Sequence, residues 1–370
     1  MRLTRLWLTD FRSYRQLDLE LSTGLTAVCG PNGVGKTNLV EAIGLLATLK
    51  SVRGAPIASL IRRGADAAVV RAEGIRDDRE VLIELELTGG RTRAQVNRQR
   101  LQRSRDLLGA LRVSLFAPDD LVLLKGGPQY RREYLDDVLV ALDPAVHALL
   151  AEIERIVRQR NALLRQARGT LDASAALTLD VWDAKLADRG QALTERREAL
   201  VDALVPLVAD GYATVAGMAV PVTLGYERSW PADDLAAALD ANRADDVRRS
   251  VTGVGPHRDE LVITLDGLAA RTEASQGEQR ALALALRTAA HRLVTDRLGE
   301  PPLLLLDDVL SELDPVRAAA LLANLPTGQT VITSATGLPD RSVADTELWL
   351  DAGGVLRPGP AGASEATPGA

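Results

Sequence analysis

Between Gly30 and Thr37 the chain reads Gly30-Pro31-Asn32-Gly33-Val34-Gly35-Lys36-Thr37, a complete G-x-x-x-x-G-K-T phosphate loop. Glycines are needed there because backbone N–H groups must converge on the phosphates of a nucleotide, and side chains or restricted φ angles would hold them off. In this pattern Lys36 reaches the β- and γ-phosphates and Thr37 ligates Mg²⁺. Such a loop also needs a carboxylate at the end of a buried strand to hold the metal. Leu303-Leu304-Leu305-Leu306-Asp307-Asp308 supplies it. Asp307 is expected in the Mg²⁺ shell, and Asp308, pointing the other way, is expected to polarise the attacking water. ATP and Mg²⁺ are the cofactors this chemistry implies.

A second string, Ser275-Gln276-Gly277-Glu278-Gln279, has two compatible readings. Glu278 stands three residues after Ser275, so the pair reads as a capping box for the helix through Arg280–Arg287. The same helix N-terminus could bind a γ-phosphate presented by a second subunit, with Ser275, Gly277 and Gln279 as the contacts. Together with the phosphate loop this implies an ATP-dependent homodimer. Ser311-Glu312-Leu313-Asp314-Pro315 is the kind of turn that passes between the two sites of head-to-head ATPases. A small-molecule kinase would use neither string, and a transporter ATPase subunit would carry the signature much sooner after the loop.

These residues must be held by an α/β framework. Thr26–Cys29 reads as the strand before the loop and Asn38–Leu46 as the helix after it, while four consecutive leucines suit a parallel strand buried on both faces. Residues 1–118, with strand-like segments such as Glu80–Leu87, are expected to form the first half of an ATPase head. Apolar residues at helical spacing over Asp143–Arg168 and about Leu177–Val208 predict an antiparallel helix pair within a lobe at 119–250, followed by a small helix ending near Arg249. Residues 251–350 complete the head, and 351–370, rich in Gly, Pro, Ala and Ser, are expected to be a disordered tail.

At 370 residues, 46% apolar and 25% charged, the chain is long enough for two cores. No apolar stretch near the length of a membrane span stands out and no signal peptide is read, so no membrane association and a cytoplasmic location are expected. The single Cys29 can form no intrachain disulfide. With few histidines and no His/Cys cluster, His257 is not expected to bind metal. The net charge of −6 disfavours a surface that coats nucleic acid everywhere, but between Arg91 and Arg112 seven arginines face Asp106 alone. This run is either a solvated face or a phosphate-binding groove, with Arg98, Arg100, Arg103 and Arg105 as candidate DNA contacts. Its lack of aromatics points to the duplex backbone rather than to stacked bases.

Three further segments carry a resemblance: Leu8-Thr9-Asp10-Phe11-Arg12-Ser13-Tyr14, the stretch Pro118–Asp136 containing Gly126-Gly127-Pro128-Gln129-Tyr130-Arg131-Arg132, and Gly255-Pro256-His257-Arg258-Asp259. With the two strings above, they make the chain resemble the RecF family of bacterial recombination mediators, related to the heads of SMC-type chromosome proteins. The resemblance runs from Met1 to about Leu350. It implies an ABC/SMC-type phosphate-loop ATPase head with an inserted, mainly helical lobe. It also implies ATP-dependent binding at single-strand/duplex DNA boundaries, recombinase loading in gap repair, weak DNA-dependent ATPase activity, and RecR and RecO as partners. Phe11 and Phe116 are expected in the core, Tyr14 in the core or near the adenine, and Arg131 and Arg132 either as solvated helix charges or as clamps on phosphate or partner carboxylates. Related heads often carry a switch histidine where this chain has Ser334-Ala335-Thr336, and a hydroxyl cannot act as a base as imidazole does, so slow hydrolysis is expected. The alternatives in the same superfamily are an SMC-like chromosome-structural ATPase and a transporter ATPase subunit.

Overall fold

The computed structural model describes residues 1–230, 234–312, 315–339, 344–351 and 354–359. In chain order its elements begin β1 (Arg2–Phe11), β2 (Tyr14–Glu20), β3 (Leu25–Cys29), α1 (Lys36–Thr48), β4 (Ala67–Arg76), β5 (Arg79–Thr88), β6 (Arg91–Val96), β7 (Gln99–Arg100) and β8 (Val113–Phe116). There follow α2 (Val122–Lys125), α3 (Pro128–Leu142), α4 (Val146–Ala167), α5 (Ala173–Ala216), β9 (Val222–Glu227), α6 (Leu235–Arg249), β10 (Glu260–Leu265) and β11 (Leu268–Ala269). The last are α7 (Gln276–Leu298), β12 (Leu303–Asp307), α8 (Pro315–Ala323), β13 (Thr330–Ser334), β14 (Thr346–Leu350) and β15 (Leu356–Pro358). The chain divides into two compact units, Met1–Asp119 with Val294–Ala370, and Asp120–Leu293.

The first unit joins the two chain ends. One six-stranded antiparallel sheet runs in the order β2-β1-β4-β5-β6-β7, and a second sheet runs β15-β14-β3-β13-β12-β8. In the second, β3, β8, β12, β13 and β14 are parallel, so the loops leaving β3, β12 and β13 emerge at one edge, where ligands bind in open α/β sheets. All five residues of β12 are buried, as its leucine run predicts. Helix α1 packs against strands of both sheets and carries the core residues Leu39, Val40, Ile43 and Leu46. Gln329, buried before β13, accepts from Leu3 N–H (2.8 Å) and donates to the carbonyls of Leu3 (2.6 Å) and Ser22 (2.7 Å), tying the first strand to the end of the chain.

The second unit is mainly helical, with α4 and α5 paired through the turn at 168–172 and the small sheet β11-β10-β9 packed on α5 and α3. Its boundary differs from the sequence expectation. The unit extends to Leu293 rather than 250, because β9 and β10 are six-residue antiparallel partners whose apolar residues pack on the lobe helices. Ser275–Gln279 therefore belong to this unit. Two further expectations need correction. The described part of the tail, 351 and 354–359, is ordered: β15 pairs antiparallel with β14, with Leu350 opposite Leu356, and Asp351 N–H donates to Val355 O while its carbonyl accepts from Gly354 N–H; the rest of 351–370 lies outside the described residues. Helix α5 is long and apolar enough by composition to cross a membrane. Part of its apolar surface is buried in the protein, at Leu186, Leu193, Leu200, Leu204 and Val208.

Candidate nucleotide-binding site

The phosphate loop leaves β3 and closes onto α1 at two glycines that no other residue could replace. Gly30 has φ +149, and a Cβ there would lie 2.3 Å from the Leu350 carbonyl. Gly35, the α1 N-cap, has φ +118, and its Cβ would lie 2.7 Å from Ser13 Oγ. The turn between β1 and β2 backs this glycine. Tyr14 is 1% exposed and its hydroxyl donates to Gly35 O at 3.0 Å, while Asn38 Nδ2 donates to Ser13 Oγ at 2.9 Å. Tyr14 is thus a support beneath the loop and not an adenine contact. Phe11 and Phe116 are both core residues.

Lys36 is 6% exposed, and its ammonium donates to Gly30 O (2.7 Å), Pro31 O (2.9 Å) and Asn32 Oδ1 (3.4 Å). Thr37 donates to Asp307 Oδ1 at 3.1 Å, and Thr333 donates to the same oxygen at 2.8 Å. Burial raises the Asp307 carboxyl above the usual carboxylate range, opposed by these two hydroxyls and by the positive charge of Arg53. Asp308 has φ +51, and its N–H donates to Thr333 Oγ1 at 2.9 Å. The left-handed turn corrects the simple strand alternation: it brings the Asp308 carboxylate to the same cavity as Lys36 and Thr37 instead of away from it. Asp308 Oδ1 is buried with no hydrogen-bond partner among the described residues.

The cavity has a volume of about 440 Å³ and is lined by Asn32, Gly33, Gly35, Lys36, Thr37, Asn38, Arg53 and Asp308. Val34 is half-buried on the loop and packs against the core of this unit. A loop of converging backbone, an ammonium, a hydroxyl beside a buried carboxylate and an orphan carboxylate oxygen together fit Mg·ATP: Thr37 and Asp307 would hold the metal, which neutralises charge on the phosphates when bound. Arg53 is a site residue that the motifs do not indicate. It sits just past α1, where Ser51 Oγ donates to the buried Glu41 at 2.5 Å, Arg12 pairs with Glu41 through two hydrogen bonds (2.7 and 2.9 Å), and Arg53 N–H donates to Ser51 Oγ at 3.2 Å. Its one local signal is an arginine in a Ser-Val-Arg-Gly-Ala-Pro turn directly after the phosphate-loop helix.

The hydroxyls following β13 differ from expectation. Ser334 is spent on its own turn, donating to Gly337 O at 2.8 Å, whereas Thr333, inside the strand, meets both aspartates.

In the second unit, Ser275 and Glu278 form the capping box, Ser275 N–H donating to Glu278 Oε2 (2.7 Å) and Glu278 N–H to Ser275 Oγ (3.3 Å). Gly277 is half-buried in the first turn of α7. Gln279 is only 3% exposed and donates to the carbonyls of Ala270 and Arg271, so it braces the preceding loop rather than presenting itself to a nucleotide. Arg131 is also internal: it is buried, pairs through two hydrogen bonds with Glu260 (both 2.7 Å) and donates to the carbonyls of Leu123 and Gly126, which removes it from phosphate clamping. Arg132 donates to Asp259 O at 2.7 Å. Asp259 in turn accepts from Tyr226 Oη and Ser229 N, so the Gly255–Asp259 segment is a structural hub of this unit. Within that hub burial lowers the His257 imidazole to about 4. The turn Ser311–Pro315 lies partly outside the described residues.

The basic run occupies β6, the β6–β7 hairpin and a short 3-10 turn at Ser104–Leu107, with no α-helix. Arg93 pairs with Glu86 at 3.2 Å. Arg98, Arg100 and Arg103 are exposed and Arg105 is half-buried, and none of the four is in an ion pair among the described residues.

Fold and site together define a phosphate-loop ATPase head of the SMC type. The model of the RecF/RecN/SMC N-terminal domain matches residues 2–336. The DNA replication and repair protein RecF of Frankia alni is 46% identical over 377 residues, which covers 96% of this chain and 100% of that protein. RecF of Streptomyces avermitilis is 43% identical over 352 residues, 90% of this chain and 93% of that one. A solved structure of the recombination mediator protein RecF with ATP, from the RecFOR pathway, is similar with a TM-score of 0.89 at 27% identity, covering 97% of this chain and 98% of that chain. An Smc head bound to the C-winged helix domain of ScpA shares the fold, with a TM-score of 0.58 at 18% identity over 97% of this chain and 98% of that one. The chain belongs to the RecF family.

Proposed function

We propose that this chain is an ATP-dependent DNA-binding recombination mediator that dimerises on ATP, binds single-strand/duplex boundaries and promotes recombinase loading in gap repair and replication maintenance. The observation that carries the reading is Lys36, Thr37 and Asp308 lining one cavity of about 440 Å³, with Asp307 held behind Thr37 by its hydroxyl, in a chain that RecF relatives match over most of its length. Lys36 would exchange the loop carbonyls it now holds for the β- and γ-phosphates. Asp308 Oδ1, an acceptor with no partner among the described residues, is suited to take a hydrogen bond from the attacking water. The lack of an imidazole after β13 fits slow hydrolysis, and the family resemblance makes that hydrolysis a DNA-dependent release step. The capped N-terminus of α7 would meet the γ-phosphate held by a second copy. The exposed arginines of the β6–β7 hairpin would meet DNA phosphates. RecR and RecO are the partners that the pathway named for the solved relatives suggests; a cytoplasmic location is part of the same proposal, since DNA is the ligand. An SMC-like structural role would need a far longer arm than the 22 residues of α4.

The test is binding to duplex, single-stranded and gapped DNA, with and without ATP, at several salt concentrations. Preference for gapped DNA that appears only with ATP supports the reading. ATP-independent binding of equal strength to all three would overturn it.

A further inference from the structure

Two catalytic carboxylates at the end of one strand face a geometric problem. Successive strand residues point to opposite faces, so Asp307 and Asp308 could not serve one nucleotide unless the chain turned between them. It does turn, since Asp308 lies at φ +51, a left-handed region that crowds the Cβ of any non-glycine residue. Something must hold it there. The Asp308 carbonyl accepts from Ser311 Oγ at 2.7 Å and from Ser311 N–H at 3.2 Å, and its N–H donates to Thr333 Oγ1 at 2.9 Å. The hydroxyl that takes this N–H uses its own proton on Asp307 Oδ1, at 2.8 Å.

We infer that Thr333 is the positioning residue of the catalytic pair, one buried hydroxyl that accepts from the Asp308 backbone and donates to the Asp307 carboxylate, fixing both groups relative to Thr37. Thr333 is 0% exposed and lies opposite Asp307 in the parallel register of β12 and β13, so its place is set by the sheet and not by a loop. Its single proton and its lone pairs are both engaged, in opposite directions, which is what a hydroxyl can do and a methyl cannot. Because Thr333 and Thr37 both donate to Oδ1, the lone pairs of Asp307 Oδ2 are left for the metal. No contact with nucleotide is required of Thr333: it acts through the two aspartates. The assignment rests on the nucleotide reading above, and Ser334, the next hydroxyl along β13, does not compete for it, since it donates to Gly337 O.

The test compares Thr333→Val, nearly equal in shape, with Thr333→Ser, which restores the hydroxyl. Backbone amide exchange is followed without nucleotide, and binding of Mn²⁺ with ATPγS is followed by electron paramagnetic resonance. Loss of one buried hydrogen-bonded hydroxyl corresponds to about a tenfold effect. In Thr333→Val the Asp308 amide should exchange about tenfold faster and Mn²⁺ affinity in the complex should fall by about the same factor, while affinity for ATPγS without metal changes little. Thr333→Ser should recover both. Unchanged exchange and Mn²⁺ affinity in Thr333→Val would overturn the assignment. So would a valine variant whose losses serine does not repair, because that pattern reports packing. A parent protein that binds no Mn·ATPγS would overturn the nucleotide reading instead, and the exchange measurement would still decide the role of Thr333.

Discussion

At the residue scale, the proposed division of work between Asp307 and Asp308 rests on their environments. Asp307 is 6% exposed, and its carboxyl is raised because burial outweighs two hydroxyl donors. A carboxyl raised in the folded state favours folding below its folded pKa, and that contribution is lost as pH rises through it, so at neutral pH ionised Asp307 is a net cost to the empty site. Asp307→Asn keeps the oxygen that Thr37 and Thr333 address. It should therefore melt at or above the parent temperature without nucleotide while binding Mg²⁺ in the ATP complex at least about tenfold more weakly. A clear fall in melting temperature would contradict this division of roles. Asp308→Asn should keep Mg·ATP affinity within a few-fold and stop hydrolysis, measured as phosphate release, so the ATP dimer persists. Lys36→Ala should abolish ATP-dependent DNA binding without lowering thermal stability by more than about 1 kcal/mol, because its ammonium contacts only two loop carbonyls and an amide oxygen of the same loop. The phosphate loop and both aspartates are legible from spacing alone. Arg53 and Thr333 are not: an arginine in a turn and a threonine in a strand acquire meaning only when the fold puts them beside Asp307.

At the element scale, the helix starting at Gln276 is legible because a capping box is a local event, four residues long, whose partners are neighbours in sequence. Its two readings separate by substitution. Ser275→Ala removes the cap and should cost about 1 kcal/mol of stability. Ser275→Arg adds a bulky charge at the exposed helix start and should also block ATP-induced dimerisation, read by light scattering, while each chain still binds ATP. If both variants dimerise on ATP like the parent, α7 does not meet a partner's nucleotide. The elements that spacing could not give are those fixed at long range. β15 becomes a strand because Leu356 finds Leu350 across a turn, and the helical lobe gains a three-stranded sheet because β9 and β10 pair across α6. The αL turn at Asp308 is invisible to a two-residue period for the same reason.

At the scale of the whole molecule, the question is where an acidic protein holds DNA. With a net charge of −6 the chain as a whole repels a polyanion, so binding must come from local excess charge. Several arginines are consumed internally: Arg131 by Glu260, Arg160 by Asp183 and Asp246, Arg197 by Asp136, Arg287 by Asp120. The exposed Arg98, Arg100 and Arg103, with the half-buried Arg105, cluster instead at a hairpin and the turn after it, at the β7 edge of the antiparallel sheet. If they bind phosphates, replacing all four with Gln should weaken DNA binding and leave ATP-dependent dimerisation unchanged. The slope of log affinity against log salt should also flatten by about 0.9 for each duplex phosphate that is no longer neutralised. Phosphates carry no sequence information, so the weakening should be similar for duplexes of different sequence. The sheet should tolerate the change, because Arg98 lies in the turn, Arg100 is exposed, and neither side chain is in a hydrogen bond among the described residues. A quadruple variant with the parent's salt slope would make the hairpin a solvated face and move the DNA surface elsewhere on the molecule.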